Sequence, residues 1–184
     1  MPIRIYGNRA IKTLSGQNTR PTSARVREAL FNIWQGRVDG CQWLDLCAGS
    51  GAMGAEALCR GAHRVVGIEQ SAAACRVIRE NWQKVAQPEQ HFEICKGDVV
   101  SQLKRLKGQS FDLIYFDPPY ASGLYGKVLE ALTSYGLLNP DSEVAVEYDP
   151  AHWQVTLPEG LEIIRAKHYG GTHLGFLHPA HKHL

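Results

Sequence analysis

The chain has 184 residues, of which 44% are hydrophobic, so it has the size of one ordinary domain that can bury its own core. Its five cysteines are odd in number and lie at no zinc-like spacing, which argues against a disulfide framework and for a reducing compartment. No charged and then apolar leader opens the chain, and no uncharged apolar run approaches the roughly 18 residues of a membrane helix. We therefore expect a cytoplasmic protein that does not enter a membrane.

The positive charge of the chain is concentrated at the amino terminus. The formal net charge is only +2, yet residues 1–27 contain no aspartate or glutamate. A local excess of this kind can hold phosphates, although a solvated basic surface would give the same composition. The candidate phosphate-binding residues are Arg4, Arg9, Lys12, Arg20, Arg25 and Arg27. For Arg27, a position on the helix surface or a partner within the chain is the alternative.

The first predicted elements are a hairpin and a helix. Two short strands across a glycine-containing turn are predicted within residues 4–14. Thr22 or Ser23 can then cap a helix over residues 24–34, because apolar side chains recur there at helical spacing. The basic segment is therefore expected to be an arm that precedes the main fold.

Strands and helices alternate over the middle of the chain, which is typical of βαβ units around a parallel sheet. The predicted strands are residues 43–47, 64–69, 91–95, 111–117 and 143–148, and the predicted helices are residues 52–60, 71–86, 99–106 and 123–135. Two further strands, 161–166 and 172–177, are joined by a turn and are predicted to finish the sheet as an antiparallel pair. The pattern predicts an α/β fold with a mostly parallel sheet.

A glycine-rich turn follows the first strand of this sheet. Residues 49–54 match the G-x-G-x-x-G pattern of dinucleotide sites, and Glu69 stands where the pattern expects a ribose-binding acid. Asp45, in the strand before the turn, would repel a pyrophosphate but can pair with the cationic amino end of S-adenosylmethionine. The residues favour the methyl donor, with a nicotinamide-dependent oxidoreductase as the alternative.

A third acid, Asp98, follows the next strand along the chain. Alone, it could be a helix cap, and Glu69 could be a surface carboxylate. Together with Asp45, however, these acids stand near the ends of three successive strands, where a doubly wound sheet binds nucleotides. This arrangement predicts one cofactor site at that edge of the sheet.

The sharpest motif is Asp117-Pro118-Pro119-Tyr120, directly after the fourth strand of the sheet. Two successive prolines stiffen the turn and remove two amide donors, so its carbonyl groups can face a ligand. The Asp117 carboxylate and the Pro118 carbonyl could hold both hydrogens of an exocyclic base amine, and Tyr120 could stack on the base. An ordinary rigid turn is the alternative interpretation of the same four residues.

Three longer motifs resemble those of the RsmD family of ribosomal RNA (guanine-N2)-methyltransferases. Residues 19–32 (TRPTSARVREALFN) are similar to its R-P-T-x-x-x-V-R-E-x-L-F-N motif, and residues 48–62 are similar to its glycine loop. Residues 167–174 (KHYGGTHL) resemble its K-x-Y-G-x-T-x-L motif. The Asp117–Tyr120 motif also resembles the (Asp/Asn)-Pro-Pro-(Tyr/Phe) element of amino-group methyltransferases.

The resemblance implies a Rossmann-like class I methyltransferase with a mostly parallel seven-stranded sheet, an antiparallel carboxyl-terminal pair and an amino-terminal hairpin arm. It implies one domain, residues 1–184, with the arm at 1–20 and the catalytic core at 21–184. The implied cofactor is S-adenosylmethionine, held by Asp45, Ala48, Gly49, Ser50, Gly51, Glu69, Asp98 and Val99. The implied catalytic residues are Asp117, Pro118, Pro119 and Tyr120.

The same resemblance implies a substrate and a partner. The substrate would be a guanine of small-subunit ribosomal RNA, within a ribosomal subunit or an assembly intermediate, and the basic residues of the arm would bind this RNA. We expect a monomer. We also expect no metal ion, because the histidines near the carboxyl terminus belong to a tail. Adenine N6 methylation and a non-catalytic nucleic-acid-binding module are the remaining alternatives.

Overall fold

Strands and helices alternate along the chain as the sequence predicts. The computed structural model describes residues 2–14 and 23–180, so the predicted roles of Arg20 and Thr22 lie outside the described residues. The strands are β1 (Ile3–Ile5), β2 (Arg9–Ile11), β3 (Gln42–Leu46), β4 (Arg64–Glu69), β5 (His91–Lys96), β6 (Phe111–Phe116), β7 (Leu138–Tyr148), β8 (Leu161–Tyr169) and β9 (Thr172–Pro179). The helices are α1 (Ala24–Ile33), α2 (Ala52–Cys59), α3 (Ala72–Val85), α4 (Val99–Arg105) and α5 (Tyr125–Ser134).

Seven of the strands form one sheet in the order β5-β4-β3-β6-β7-β9-β8. The strands from β5 to β7 pair in parallel, whereas β9 pairs antiparallel with both β7 and β8. The predicted antiparallel pair at the end of the sheet is therefore confirmed. The chain leaves β3 towards β4 on one side and later returns to β6 on the other side, so the strand order reverses between β3 and β6. Crevices that bind ligands form at such a switch point, outside the carboxyl ends of the strands.

Two boundaries in the main sheet differ from the prediction by more than two residues, and in the hairpin β2 ends at Ile11 rather than at residue 14. Strand β7 begins at Leu138 rather than at residue 143, because Leu138 pairs with Phe111 ahead of a register shift. The Asn-Pro-Asp run that follows Leu138 looks like a turn in the sequence but lies within the strand. Strand β8 continues to Tyr169 rather than ending at residue 166, because Lys167, His168 and Tyr169 pair with β9. Its side chains are exposed at the sheet edge, so no alternation in the sequence marks this end.

Apolar side chains cover both faces of the sheet. One face packs against α1, α2 and α3, and its centre is an aromatic cluster in which Trp43 stacks on Phe31 with ring centroids 5.3 Å apart. The other face packs against α4 and α5. Burial on both faces explains why the sequences of the central strands are nearly continuous apolar runs. No helix among residues 2–14 and 23–180 is long and apolar enough to cross a membrane.

The amino-terminal hairpin forms a separate two-stranded sheet, with Ile3 opposite Ile11. Its buried side chains, Ile5 and Ile11, belong to the same apolar cluster as the α2 face of the main sheet. Ser23 precedes helix α1, and its hydroxyl accepts a hydrogen bond from the Val26 N–H at 3.2 Å. Of the two predicted caps, Ser23 therefore makes the capping contact.

Candidate active site

The glycine loop after β3 adopts a conformation that few side chains allow. Gly49 and Gly51 have φ values of 59° and 75°, in the left-handed region that favours glycine. Gly51 is also the residue from which α2 begins. The loop therefore turns sharply. Because its glycines have no side chains, a ligand can approach the backbone closely at the switch point between β3 and β6.

Helix α3 supports this loop from below. The Trp82 indole N–H donates to the Gly51 carbonyl at 2.8 Å, and the Asn81 side-chain amide donates to the Ser50 carbonyl at 2.9 Å. A Cβ atom at Gly54 would lie 2.4 Å from the Trp82 ring, so glycine is required there by packing. Sequence reasoning missed Trp82 and Asn81, because no motif marks residues that reach the loop from about thirty positions away.

Asp45 lies at the base of the loop and is 1% exposed. Its carboxylate accepts a hydrogen bond from the Gly54 N–H at 3.1 Å, in the first turn of α2. Burial raises the pKa of Asp45 to about 8, the Gly54 N–H partly offsets this effect, and the charge of Glu69 adds to it. The amino-terminal end of α2, where a pyrophosphate would bind in a dinucleotide site, therefore already faces a carboxyl group of the protein.

Glu69, at the end of β4, also organises the loop. One carboxylate oxygen accepts from the Gly49 N–H at 2.8 Å, and the other accepts from the Ser71 N–H at 2.9 Å. Asp98 caps α4 by accepting from the Ser101 N–H at 2.9 Å, and this hydrogen bond lowers the pKa of Asp98. Asp98 is thus a helix cap, as one interpretation of the sequence predicted. It also lies in the wall of the cavity beside the glycine loop.

The Asp117–Tyr120 motif follows β6 at the same edge of the sheet. Asp45 is opposite Tyr115 in the pairing of β3 with β6, so the two loops leave the sheet side by side. Pro118 is buried and Asp117 is half-buried. The Tyr120 hydroxyl donates to a carboxylate oxygen of Glu147 at 3.3 Å.

A single cavity of about 1010 Å³ joins the two loops. Its volume is at the upper end of ligand pockets, which gives room for a cofactor and a second group. The predicted residues in its wall are Asp45, Ala48, Gly49, Ser50, Glu69, Asp98, Val99, Asp117, Pro118, Pro119 and Tyr120. Gly51 is the one predicted cofactor residue outside the wall, since its carbonyl faces Trp82. Wall residues that sequence reasoning missed include Tyr115 and, from the arm, Ile3, Thr13 and Leu14.

The described basic residues of the arm, Arg4, Arg9 and Lys12, lie on the surface but already have partners within the chain. The Arg4 guanidinium donates to the Asn8 carbonyl at 2.9 Å, and Arg9 donates to the Val85 carbonyl at 3.4 Å. Lys12 forms an ion pair with Glu80. The contacts of Arg9 and Lys12 hold these two side chains against α3, whereas the contact of Arg4 lies within the hairpin. All three side chains remain exposed and can still reach a phosphate.

Arg27 makes its contacts within the chain, in agreement with the alternative to phosphate binding. It is 4% exposed, its guanidinium lies 2.6 Å from the Glu56 carboxylate, and it donates to the Arg4 carbonyl at 2.7 Å. A phosphate could not reach this group without displacing the hairpin, so the expectation that Arg27 binds RNA is not supported. Arg25, two residues earlier on the same helix, is exposed and lies over the Tyr169 ring at 5.9 Å.

The histidines give no metal site in the part of the chain that the structure describes, where no group of three or more metal-ligating side chains occurs. His168 and His173 pair across β8 and β9 with ring centroids 4.0 Å apart. His178 lies in β9. The tail histidines at 181 and 183 lie outside the described residues.

Comparison with known proteins assigns the family. The family model of conserved hypothetical protein 95, the RsmD family, matches residues 3–178. The chain belongs to the RsmD family. Ribosomal RNA small subunit methyltransferase D of Escherichia coli strain K12 is 30% identical over 169 residues, which cover 90% of this chain and 84% of the relative. The family indicated by the three sequence motifs is therefore confirmed.

Solved structures agree with the RsmD assignment. The candidate methyltransferase yhhF of Escherichia coli superposes with a TM-score of 0.85 at 29% identity, over 97% of this chain and 98% of that one. SMU.776, a candidate methyltransferase complexed with SAH, has a TM-score of 0.68 at 14% identity, over 84% of this chain and 48% of that one. The second likeness concerns the fold alone. The predicted Rossmann-like methyltransferase fold is confirmed.

Proposed function

We propose that this RsmD-family chain transfers a methyl group from S-adenosylmethionine to the N2 amino group of a guanine in small-subunit ribosomal RNA. The proposal is carried by the cavity that the glycine loop and the Asp117–Tyr120 motif share. The name of the Escherichia coli relative, a small-subunit ribosomal RNA methyltransferase, supports the substrate. The choice of guanine N2 rests on the resemblance to the family.

The side chains around the glycine loop suit S-adenosylmethionine. Asp45 is a buried carboxyl group in the cavity wall, and a cationic amino group beside it would offset the cost of its charge. Glu69 and Asp98 are further acids at successive strand ends and suit the ribose hydroxyls and the adenine amino group. A nicotinamide dinucleotide fits less well, because its pyrophosphate would bind at the amino-terminal end of α2, where the Asp45 carboxyl group already accepts the Gly54 N–H. When bound, the methyl donor supplies an electrophilic methyl group on a sulfonium sulfur.

The acceptor half of the cavity suits an amine. The lone pair of an exocyclic base amine is delocalised into the ring, so the amine needs to be oriented before it can attack. In our proposal the Asp117 carboxylate and the Pro118 carbonyl accept the two amine hydrogens, and the negative charge of Asp117 stabilises the positive charge that develops on nitrogen. Pro119 stiffens the turn, and the Tyr120 ring stacks on the base.

The basic side chains of the arm and of the start of α1 are proposed to bind RNA phosphates. The candidates are Arg4, Arg9, Lys12, Arg20 and Arg25, and Arg27 is omitted because it is buried. We propose that the substrate is a small ribosomal subunit or an assembly intermediate, that the chain acts in the cytoplasm as a monomer, and that it needs no metal ion. The attack of an amine on a sulfonium methyl group is a direct displacement, so no protein nucleophile is required.

Binding of the methyl donor is expected to depend on pH through Asp45. Because the pKa of Asp45 is raised to about 8, its carboxyl group is mostly protonated in the free protein near neutral pH. A cationic partner binds the ionised form, so donor binding should release a proton, and affinity should rise by up to about tenfold per pH unit as the pH increases towards about 8. Isothermal titration calorimetry in two buffers of different ionisation enthalpy measures both effects.

Asp45→Asn is the control for this pH dependence. The variant removes the titrating group, so it should bind the donor more weakly, with a dissociation constant that no longer changes between about pH 6 and about pH 8. Equal donor affinities of the native protein at these two pH values, without proton release, would contradict the role assigned to Asp45.

Nucleoside analysis of ribosomal RNA tests the choice of base. In RNA from cells that lack this protein, one N2-methylguanosine of the small subunit should be missing, and it should return when the native chain is expressed. If N6-methyladenosine is missing instead, the chain methylates a base amine, but the base is adenine and not guanine. An unchanged set of methylated nucleosides would reject ribosomal RNA as the substrate.

A further inference from the structure

Glu147, near the end of β7, is a buried carboxylate that the proposed transfer step does not use. It is 3% exposed, although an isolated charge in the interior is costly. Its own backbone carbonyl accepts a hydrogen bond from the Tyr125 hydroxyl at 3.2 Å, so the main chain at this point is also held. The position of this charge therefore needs an explanation.

Each carboxylate oxygen of Glu147 accepts a hydrogen bond from a different tyrosine. The Tyr115 hydroxyl donates at 2.5 Å and the Tyr120 hydroxyl donates at 3.3 Å. Hydrogen bonds to an ionised acceptor are about twice as strong as neutral ones. Both tyrosines lie in the wall of the cavity, whereas Glu147 is not among the described residues that form this wall.

The sheet register accounts for this arrangement. Tyr115 in β6 is opposite Ala145 in β7, so Glu147 lies on the same face, two residues nearer the carboxyl edge. From there its side chain reaches Tyr115 within the sheet and Tyr120 in the loop that follows β6. The buried Glu147 carboxylate thus links strand β6, through Tyr115, to the Asp117–Tyr120 motif, through Tyr120.

We propose that Glu147 is a positioning residue of the methyl-transfer site. It holds the hydroxyl groups of Tyr120 and Tyr115 and so fixes the two rings in the acceptor half of the cavity before the base enters. This inference rests on the proposed function, because the rings are assigned to the base side of the reaction. Without Glu147, the half-buried Tyr120 ring would keep its stacking surface but lose a fixed orientation.

Glu143 provides a matched control on the same strand. It is also buried and lies on the same face of β7, but it accepts from the Trp34 indole N–H and pairs with Arg37 at 3.1 Å. Trp34 and Arg37 follow α1 and contact β7 four residues before Glu147, and neither of them is in the cavity wall. Glu143→Gln therefore reports what the loss of a buried carboxylate does to stability alone.

The first test measures methyl transfer to small ribosomal subunits with Glu147→Gln, Glu143→Gln and Tyr120→Phe. We expect kcat of Glu147→Gln to fall about 10- to 100-fold, with the dissociation constant of the methyl donor unchanged. Glu143→Gln should lower the melting temperature and leave kcat unchanged. In the Tyr120→Phe background the Glu147→Gln change should cost less than in the native protein, because the hydroxyl group is already absent.

A second test needs no substrate. In protein labelled with ¹³C on its tyrosine rings, the Tyr120 signal is identified by its loss in Tyr120→Phe. Its shift and relaxation should change in Glu147→Gln towards those of a freely moving ring and stay native in Glu143→Gln. An unchanged Tyr120 signal, or a native kcat with only a lower melting temperature, would overturn the positioning role. If the native chain methylates no RNA, the proposed function fails, and the ring signal still decides whether Glu147 holds Tyr120.

Discussion

Replacing Asp117 with alanine is expected to reduce methyl transfer by about a hundred- to a thousandfold while the methyl donor still binds. The change removes the charged acceptor that orients the amine and stabilises the positive charge developing on it, and the loss of one such preorganised group has about this effect. The donor half of the cavity is built on residues of β3, β4 and the start of α4, whereas Asp117 follows β6, so we expect donor binding to be retained. Single-turnover transfer from labelled S-adenosylmethionine, together with a donor-binding titration, measures both quantities.

Asp112 is the matched control on the same strand. Its two carboxylate oxygens accept from the Gln42 N–H at 2.7 Å and from the Asn139 side chain at 2.8 Å, at the end of β6 away from the cavity. Asp112→Ala should destabilise the fold but leave the transfer rate of the folded protein intact. Native transfer by Asp117→Ala, or an equal loss in both variants, would show that Asp117 has no special part in the reaction.

Replacing Arg27 with methionine is expected to lower the free energy of unfolding by about 3 kcal/mol. The change leaves one oxygen of the buried Glu56 carboxylate without its partner, and loss of one member of a buried ion pair costs about 3–5 kcal/mol. The lower figure applies because Arg60 still pairs with the other oxygen at 2.9 Å. The melting temperature should fall by roughly 10 °C in thermal unfolding followed by circular dichroism.

Arg25→Met is the control for Arg27 and tests the RNA contact. Arg25 is exposed, so its loss should change stability by no more than about 0.5 kcal/mol. It should instead weaken binding to ribosomal RNA and reduce the salt dependence of that binding. A stable Arg27→Met variant that binds RNA poorly would show that Arg27 contacts RNA and would contradict its structural role.

Most of the fold could be predicted because its signals are local. Apolar runs of strand length alternate with helical spacing, and the glycines and prolines between them mark the turns. The strand order could not be obtained in this way, because the neighbourhood of β3 and β6 depends on residues about seventy positions apart. The early start of β7 was missed for a similar reason, since the pairing of Leu138 with Phe111 overrides the local turn signal.

The candidate site was predictable where its residues directly follow strands. Glu69 and the Asp117 motif are adjacent in sequence to the elements that carry them, so a motif and a strand prediction suffice to bring them to one edge. Trp82 carries no such mark, because it acts through a contact with a residue about thirty positions away. Glu147 lies near a strand end, but its contacts with Tyr115 and Tyr120 cannot be obtained from the sequence. Arg27 shows the limit of a prediction made from composition alone. A basic composition cannot distinguish an exposed cation from one whose partner, Glu56, lies buried in the next helix.

Methyl transfer to small ribosomal subunits in a purified system tests the central claim most directly. Subunits from cells that lack this protein are incubated with radiolabelled S-adenosylmethionine and either the native chain or Asp117→Ala, and the RNA is digested to nucleosides. Our account predicts label in N2-methylguanosine with the native chain and almost none with the variant. Equal label with both proteins, or no label in any nucleoside with the native chain, would contradict it.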